Sequence, residues 1–149
     1  RRVKGRCKFN NMKSSFSEKI YTCLVAKVIK YNEEQKSPIT VDQLIRVYKR
    51  GEKTSRVFFS FDKSTAQWAM ARVNMFLRLS SDRRVCDSYR FQDLDISKGI
   101  DRTYHQEEAE PFWKFSELDF TMARSDLLLA HITDKEAENT FFPPVLEED

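Results

Sequence analysis

An alternation of apolar and polar residues runs from Ile39 to Lys49 and restricts the fold of this chain more than any other pattern in it. One parity is apolar apart from Gln43, and the other parity carries most of the polar side chains. The apolar parity consists of Ile39, Val41, Ile45 and Val47, and the polar parity contains Thr40, Asp42, Arg46 and Arg50. A period of two is typical of a strand with one solvated face, so the segment is predicted to be a strand.

Two neighbouring segments are predicted to be strands as well. Lys19–Tyr31 is rich in β-branched and aromatic residues and has apolar residues at both parities, which is typical of a strand buried on both faces. A helix is the alternative there, because Ser15 and Glu18 have capping-box spacing in front of the segment. Arg56–Phe61 is a further aromatic and β-branched run. With polar connections between them, these segments predict an antiparallel meander, or partly open barrel, over residues 19–61.

The pattern becomes helical in the middle of the chain. Apolar residues recur at helical spacing from Ser64 to Leu79, and Ser64 with Gln67 has capping-box spacing, which predicts a helix at about 64–79. The remaining elements predicted are a short strand at 84–91, a polar acidic loop or insertion at 93–110, and a C-terminal closing strand at 127–132. The predicted fold is therefore a β-rich α+β fold, in a single domain 1–149 with a basic N-terminal arm at 1–14.

The charge of the chain is divided unevenly along its length. Residues 1–84 carry 20 Lys and Arg against 7 Asp and Glu, a net charge of +13, whereas residues 85–149 carry 6 against 16, a net charge of −10. A basic half of this size suggests a surface that faces a polyanion such as nucleic acid. The alternative is that the two halves neutralise each other on the folded surface.

Cysteine usage and hydropathy limit the cellular setting. Cys7, Cys23 and Cys86 are an odd number at wide spacing, which fits neither a disulfide framework nor a zinc knuckle. A reducing compartment, the cytosol or the nucleus, is therefore expected. The sequence also has no apolar run long enough to span a bilayer, so no membrane partner is expected.

The sequence lacks recognisable motifs for catalysis and for metal binding. His105 and His131 are 26 residues apart, with no Cys or carboxylate at a zinc-ligand spacing. The chain has only 3 glycines, and it contains neither a Gly-rich phosphate loop nor a nucleophile elbow. Asp93, Asp95 and Asp101 would suit a two-metal site if they converged, but a hydrated loop is the commoner explanation for such a stretch. No catalytic residue, metal or cofactor is predicted.

The sequence instead predicts a binding surface. Five cations lie on or beside the predicted hairpin and form the candidate polyanion-binding site: Arg46, Lys49, Arg50, Lys53 and Arg56. Such a ribbon neutralises a few phosphates and gives salt-dependent, sequence-tolerant affinity; alternatively, the charges only keep a solvated sheet face soluble. Three aromatic residues form a candidate pocket for bases or a quaternary ammonium group: Tyr31, Tyr48 and Trp68. The alternative is that these rings belong to the core.

Two parts of the chain carry a distinctive combination of motifs. In Leu24–Thr54, the run Val25-Ala26-Lys27-Val28 is followed by a predicted hairpin and by Val47-Tyr48-Lys49 and Glu52-Lys53-Thr54. Leu127–Pro144 contains an apolar run, an Asp-containing turn, and Phe before Pro. These two segments resemble the opening and closing strands of a bromo-adjacent homology (BAH) domain.

The resemblance implies a β-rich, non-catalytic chromatin module in the nucleus, which binds DNA, nucleosomes, histone tails or partner proteins. Some members of the family hold a methylated lysine in an aromatic cage. Tyr48 occupies one cage position, but Arg46 stands where the family has Trp, so an acidic or phosphate partner at Arg46 is the alternative. The chain also has Arg50-Gly51 where the family has Pro.

Two further functions stay open at this level. The first is a protein–protein scaffold domain with no role for nucleic acid, in which the two charged halves mediate assembly. The second is a winged-helix-like binder of nucleic acid, which requires residues 15–31 and 40–50 to be helices.

Overall fold

A computed structural model of the chain describes residues 16–57, 63–83, 85, 87–99 and 115–138. These residues form six helices: α1 (Phe16–Glu34), α2 (Val41–Val57), α3 (Thr65–Ser80), α4 (Asp87–Lys98), α5 (Glu117–Leu129) and α6 (Asp134–Glu138). The described ranges contain no strand. The prediction of a β-rich α+β fold with a meander or partly open barrel over 19–61 is therefore wrong, and so is the β-rich architecture that the BAH resemblance implies.

α1 replaces the first predicted strand. Its buried residues Ile20, Leu24 and Tyr31 are spaced by four and seven positions, which is the spacing of one helix face. Other β-branched residues that favour a strand lie between these positions and are at least partly solvated, as Val25 and Ile29 are. The preference for a strand is weak per residue, and burial of one helical stripe against the core overrides it.

α2 replaces the second predicted strand. Reciprocal hydrogen bonds cap its start, because the Thr40 amide donates to Gln43 Oε1 (2.9 Å) and the Gln43 amide donates to Thr40 Oγ1 (3.2 Å). The most deeply buried apolar side chains of α2 are Leu44, Val47 and Tyr48, each 0% exposed, and the last two lie three and four positions after Leu44. Leu44 and Tyr48 lie on the parity that the strand prediction assigns to solvent. The alternation of apolar and polar residues over 39–49 is therefore part of a helical pattern with a period of 3.6 residues.

α3 lies where the sequence predicts a helix, and it is the centre of the fold. The predicted capping box is present: Ser64 Oγ accepts from the Gln67 amide, and the Gln67 side chain accepts from the Ser64 amide. α3 packs against α2, α4, α5 and α6, most extensively against α2. Its buried side chains occupy most of its circumference, as expected for a helix enclosed by neighbours.

α2 and α3 are in close contact where they cross, at the two small residues Gly51 and Ala69. A Cβ atom placed on Gly51 would lie 2.6 Å from Ala69 Cα, which is closer than van der Waals contact permits. The two backbones can approach this closely because Gly51 has no side chain. Gly51 therefore fixes the distance between the two helices that make the largest contact.

The C-terminal half of the described chain is also helical. Residues 87–91 of the predicted strand 84–91 begin α4, and residues 93–98 of the predicted acidic loop complete it. The predicted closing strand at 127–132 is wrong: Leu127–Leu129 end α5, and His131 then adopts a positive φ of 66° in the turn before α6. The arm at 1–14 and residues 100–110 lie outside the described residues. None of the helices in the described ranges has the length and apolar character needed to cross a membrane.

Candidate functional site

Three of the five predicted polyanion-binding residues share one side of α2. Arg46, Lys49 and Lys53 are spaced by three and four positions on the side opposite Leu44 and Tyr48. Arg46 and Lys53 are exposed, and Lys49 is partly exposed. We call these three residues the basic face of α2. Arg56 lies in the last turn of the same helix, and its side chain is outside what the structure describes.

Arg50 points away from the basic face and towards α4. Its Nη1 donates to Asp93 Oδ1 (3.0 Å), Asp95 Oδ1 (3.0 Å) and the Gln92 carbonyl (3.0 Å), and its Nη2 donates to Asp95 Oδ2 (2.7 Å). The Asp93 and Asp95 side chains are 0% and 1% exposed. The structure therefore engages Arg50 in a contact between helices rather than on the surface.

Asp93 is the centre of a buried ionic cluster. Arg72 Nε and Nη2 donate to its two carboxylate oxygens, each at 2.9 Å, and the Tyr89 hydroxyl donates to Oδ2 at 2.7 Å. Arg72 Nη1 also donates to Thr54 Oγ1 at 2.8 Å. We call Arg50, Arg72, Tyr89, Asp93 and Asp95 the ionic cluster. It joins α2, α3 and α4 through charge-assisted hydrogen bonds.

The environment of the cluster sets the charge state of Asp93. Burial by itself would raise the pKa of Asp93, but the charge and hydrogen bonds of Arg72, the Tyr89 hydroxyl and the charge of Arg50 hold that pKa below its ordinary value. Burial and the neighbouring Asp93 charge raise the pKa of Tyr89 well above its ordinary value, so Tyr89 stays a neutral donor. The cluster therefore holds two cations and two carboxylates in fixed hydrogen bonds, an arrangement suited to joining helices.

Asp93 and Asp95 lie neither in a hydrated loop nor in a metal site. The sequence offered a hydrated loop or a converging metal site for these carboxylates, and the structure shows both buried in ion pairs with arginines. Asp101, the third member of that set, lies outside the described residues. Across the ranges that the structure describes, no group of three or more His, Cys, Asp or Glu side chains is arranged to hold a metal ion.

The three residues of the candidate aromatic pocket lie in the hydrophobic core or pack against it. Tyr48 is 0% exposed on α2, with Cys23 and Glu52 nearby. Trp68 on α3 makes edge-to-face contacts with Phe115 and Phe120, with ring centroids 5.4 and 5.6 Å apart. These two rings therefore serve packing between helices.

Tyr31, the third residue of that candidate pocket, lies near the end of α1. It lines a groove of about 280 Å³ between α1, α3 and α5, together with Asn74, Leu77 and Met122. Only 7% of the Tyr31 side chain is exposed, and burial raises its pKa, with a further contribution from the nearby charge of Asp82. Tyr31 is thus placed at a groove rather than beside the basic face of α2.

α5 carries an exposed apolar surface that was not predicted from the sequence. Leu118, Met122 and Leu129 are 66%, 45% and 80% exposed, although the opposite side of the same helix is buried in the core. Their spacing of four and seven positions is a helical signal in the sequence. Because residues 127–132 were predicted to be a strand, the helical spacing that continues to Leu129 was not recognised.

The basic face of α2 and the apolar side of α5 are thus two exposed surfaces of different chemistry on one helical fold. A search among protein families, curated proteins and solved structures found no match to this chain.

Proposed function

We propose that this chain is a non-catalytic helical binding domain whose basic face on α2 contacts the phosphates of a nucleic acid duplex. The observation that carries the proposal is the alignment of Arg46, Lys49 and Lys53 along one solvated side of a regular helix. With a rise of about 1.5 Å per residue, Arg46 and Lys53 lie about 10 Å apart along the helix axis. Cations at this spacing can reach successive phosphates of one backbone strand.

The local charge of α2 favours this ligand. Asp42 lies at the start of the same side, so the cationic stretch begins at Arg46. Glu52 is the other carboxylate of α2, and it is buried, with 4% of the residue exposed. The second half of α2 therefore carries more cations than carboxylates, which favours an anionic ligand.

The proposed ligand is a polyanion, and no chromatin setting is proposed for it. That setting came with the BAH resemblance, whose β-rich fold differs from the helices of this chain. A cage for methylated lysine needs two or three ring faces converging at the surface, and Tyr48 and Trp68 are instead engaged in the core. Phosphate contacts by three side chains predict binding that tolerates changes in base sequence.

Salt dependence is the first test. We expect a labelled DNA duplex to bind the full chain, with the logarithm of the association constant falling against the logarithm of salt concentration with a slope of about −2.7, since each phosphate contact contributes about −0.9. Fluorescence anisotropy at several salt concentrations measures this slope. Absence of binding at low salt, or binding indifferent to salt, would overturn the proposal.

Charge reversal is the second test. The triple variant Arg46→Glu, Lys49→Glu and Lys53→Glu is expected to abolish the salt-dependent binding. The matched control reverses three exposed cations outside α2, Lys30, Lys36 and Lys135, and changes the net charge by the same amount. If the control variant loses as much affinity as the α2 variant, binding depends on net charge alone and the basic face is not the site. A glutamine triple at the α2 positions replaces the glutamate triple if the latter fails to fold.

A further inference from the structure

We propose that the groove between α1, α3 and α5 binds a small organic anion, in which a carboxylate or phosphate group is attached to an apolar group. The groove has a volume of about 280 Å³, close to the lower end of the range of about 300–1,000 Å³ that is usual for small-molecule sites. No described residue of α2 lines it. The proposed site is therefore separate from the basic face of α2 and can be tested independently of nucleic acid.

Two helices contribute matching stripes of residues to the groove. Four residues at intervals of three, one and three positions line it from α1: Lys27, Lys30, Tyr31 and Glu34. Four residues at the same intervals line it from α3 and its C-cap: Asn74, Leu77, Arg78 and Ser81. Residues at these intervals share one side of a helix, so each helix presents a continuous stripe to the groove.

Cations predominate among the charged residues that line the groove. Within the described ranges, four lining residues are cations and one is a carboxylate: Lys27, Lys30, Arg78 and Arg83 against Glu34. Carboxylate and phosphate groups are the usual partners of such side chains, through charge-assisted hydrogen bonds. The lining therefore favours an anionic ligand.

The four cations differ in how they are held. Lys27 Nζ donates to Asp126 Oδ2 (2.9 Å), and Arg78 Nη2 donates to Asp119 Oδ1 (3.3 Å). Neither of these α5 carboxylates lines the groove. Lys30 and Arg83 are exposed, and the described residues provide neither side chain with an ion pair. Lys30 and Arg83 are thus the cations that can turn towards a ligand.

The Tyr31 hydroxyl is a hydrogen-bond donor without an acceptor. It is buried, and the described residues supply it with no hydrogen-bond partner. Burial, followed by the charge of nearby Asp82, raises the pKa of Tyr31, so the hydroxyl keeps its proton. Asp82 lies between the lining residues Ser81 and Arg83, which places the hydroxyl at the α3 side of the groove. Since buried donors are nearly always paired in folded proteins, an acceptor from outside the chain is expected here.

The groove also has an apolar part. Met122 of α5 is 45% exposed, and Leu77 of α3 is partly buried against the core. These two side chains can cover a small apolar group while the cations hold its charged end. Because the Tyr31 hydroxyl is buried, contact with it requires an exposed side chain such as Arg83 to change rotamer, and such changes are common on binding.

Methyl NMR of the full chain with labelled methionine tests the binding. The chain has four methionines, and the variant Met122→Leu identifies the Met122 signal by its loss. Phenyl phosphate or benzoate, titrated to about 10 mM so that a dissociation constant of about 1 mM is detected, is expected to shift the Met122 signal saturably. The signal of Met70, which is 0% exposed, is expected to stay in place.

Two partial probes separate the contributions of the two ends of the ligand. Benzyl alcohol has the apolar group without the charge, and inorganic phosphate has the charge without the apolar group. Each is expected to bind at least about tenfold more weakly than the better of the two full probes. A Met122 signal that responds to neither full probe overturns the proposal, and so does benzyl alcohol that binds as tightly as the better full probe.

Charge removal tests the two exposed cations. The double variant Lys30→Gln, Arg83→Gln is expected to weaken binding by about tenfold or more, the size of effect that hydrogen bonds to charged groups have. The matched control is Arg90→Gln, Lys98→Gln, which removes one exposed Arg and one exposed Lys from α4. Unchanged affinity in the groove variant, or equal losses in both variants, would show that the groove does not hold the anion.

Tyr31→Phe tests the hydroxyl without changing the shape of the ring. The variant is expected to bind the probe several-fold more weakly, while its melting temperature without ligand equals or exceeds that of the wild type. Wild-type affinity in the variant would remove the hydroxyl from the site. A marked fall in the melting temperature would show that the hydroxyl already has a partner in the folded chain, such as a buried water, and would also count against its role in the site.

Discussion

Arg72 and Asp93 form a bidentate ion pair in which the side chains are only 2% and 0% exposed. Both nitrogen–oxygen distances are 2.9 Å, so two charge-assisted hydrogen bonds join the guanidinium group to the carboxylate. Replacing both partners by apolar residues could be tolerated, but removing one leaves a buried charge without compensation. The pair therefore makes the fold sensitive to single substitutions at this point.

The first prediction concerns the loss of the central carboxylate. Asp93→Asn is expected to lower the free energy of unfolding by about 3–5 kcal/mol, since Arg72 then remains buried with its charge uncompensated. Urea denaturation followed by circular dichroism measures the change. The control is Asp134→Asn, which removes an exposed ion pair to Arg124 at 2.8 Å and is expected to have no measurable effect. Equal effects of the two substitutions would contradict the role of burial.

The second prediction concerns pH. The pKa of Asp93 is lower in the folded chain than its ordinary value of 3.8, so the folded state binds fewer protons than the unfolded state there. The contribution of Asp93 is therefore fully present above pH about 4 and is lost as the pH falls through the lower folded pKa. The difference in melting temperature between the wild type and Asp93→Asn is expected to shrink as the pH is lowered below about 4. A constant difference between them would contradict this prediction.

The third prediction concerns the crossing of α2 and α3. Gly51→Ala adds a Cβ at 2.6 Å from Ala69 Cα, and a backbone atom cannot move aside as a side-chain end can. Overpacking costs about 1–3 kcal/mol, which exceeds the gain of about 1 kcal/mol in helix propensity. We expect a net loss of stability in thermal unfolding. Arg46→Ala, at an exposed position of the same helix, is the control and is expected to be close to neutral; stabilisation by Gly51→Ala would mean that the helices are not in close contact.

The fourth prediction concerns Cys23. Burial, only partly offset by Lys27, raises the pKa of the Cys23 thiol from 9.0 to about 11. At neutral pH the thiolate fraction is therefore about a hundredfold below that of a free thiol, because each pKa unit is a factor of ten. In a Cys7→Ser, Cys86→Ser background, alkylation of Cys23 measured by mass spectrometry is expected to be slow in the folded chain and fast after denaturation. Equal rates in the two states would contradict the burial of this thiol.

The sequence predicted α3 because its evidence was local. Ser64 and Gln67 lie three positions apart and form the capping box by themselves, so no distant contact is needed to recognise the start of the helix. The strand predictions for α1 and α2 were wrong, although a capping-box pattern stands at the start of each of these helices as well. Their β-branched residues favour strands, and the periods of two and of 3.6 coincide at several positions over a short segment. Leu44 and Tyr48, apolar on the supposedly wet parity, were the signal that separates the two periods.

The candidate site could be predicted only in part. Once α2 is known to be a helix, the spacing of Arg46, Lys49 and Lys53 is sufficient to place them on one face. The position of Arg50 does not follow in this way, because Asp93 and Asp95 are 43 and 45 positions away in sequence. Arg50 was predicted to act with the other cations of α2 because it is close to them in sequence. The packing of α4 against α2 instead places it beside Asp93 and Asp95.

The order of the ionic cluster along the chain has a consequence for folding during synthesis. Arg50 and Arg72 belong to the second and third helices, whereas the carboxylates that neutralise them belong to the fourth. A nascent chain that ends before Asp87 contains both guanidinium groups but neither of these counter-ions. Since desolvating an isolated cation costs several kcal/mol, that part of the interface must stay hydrated until the ribosome has delivered Asp93.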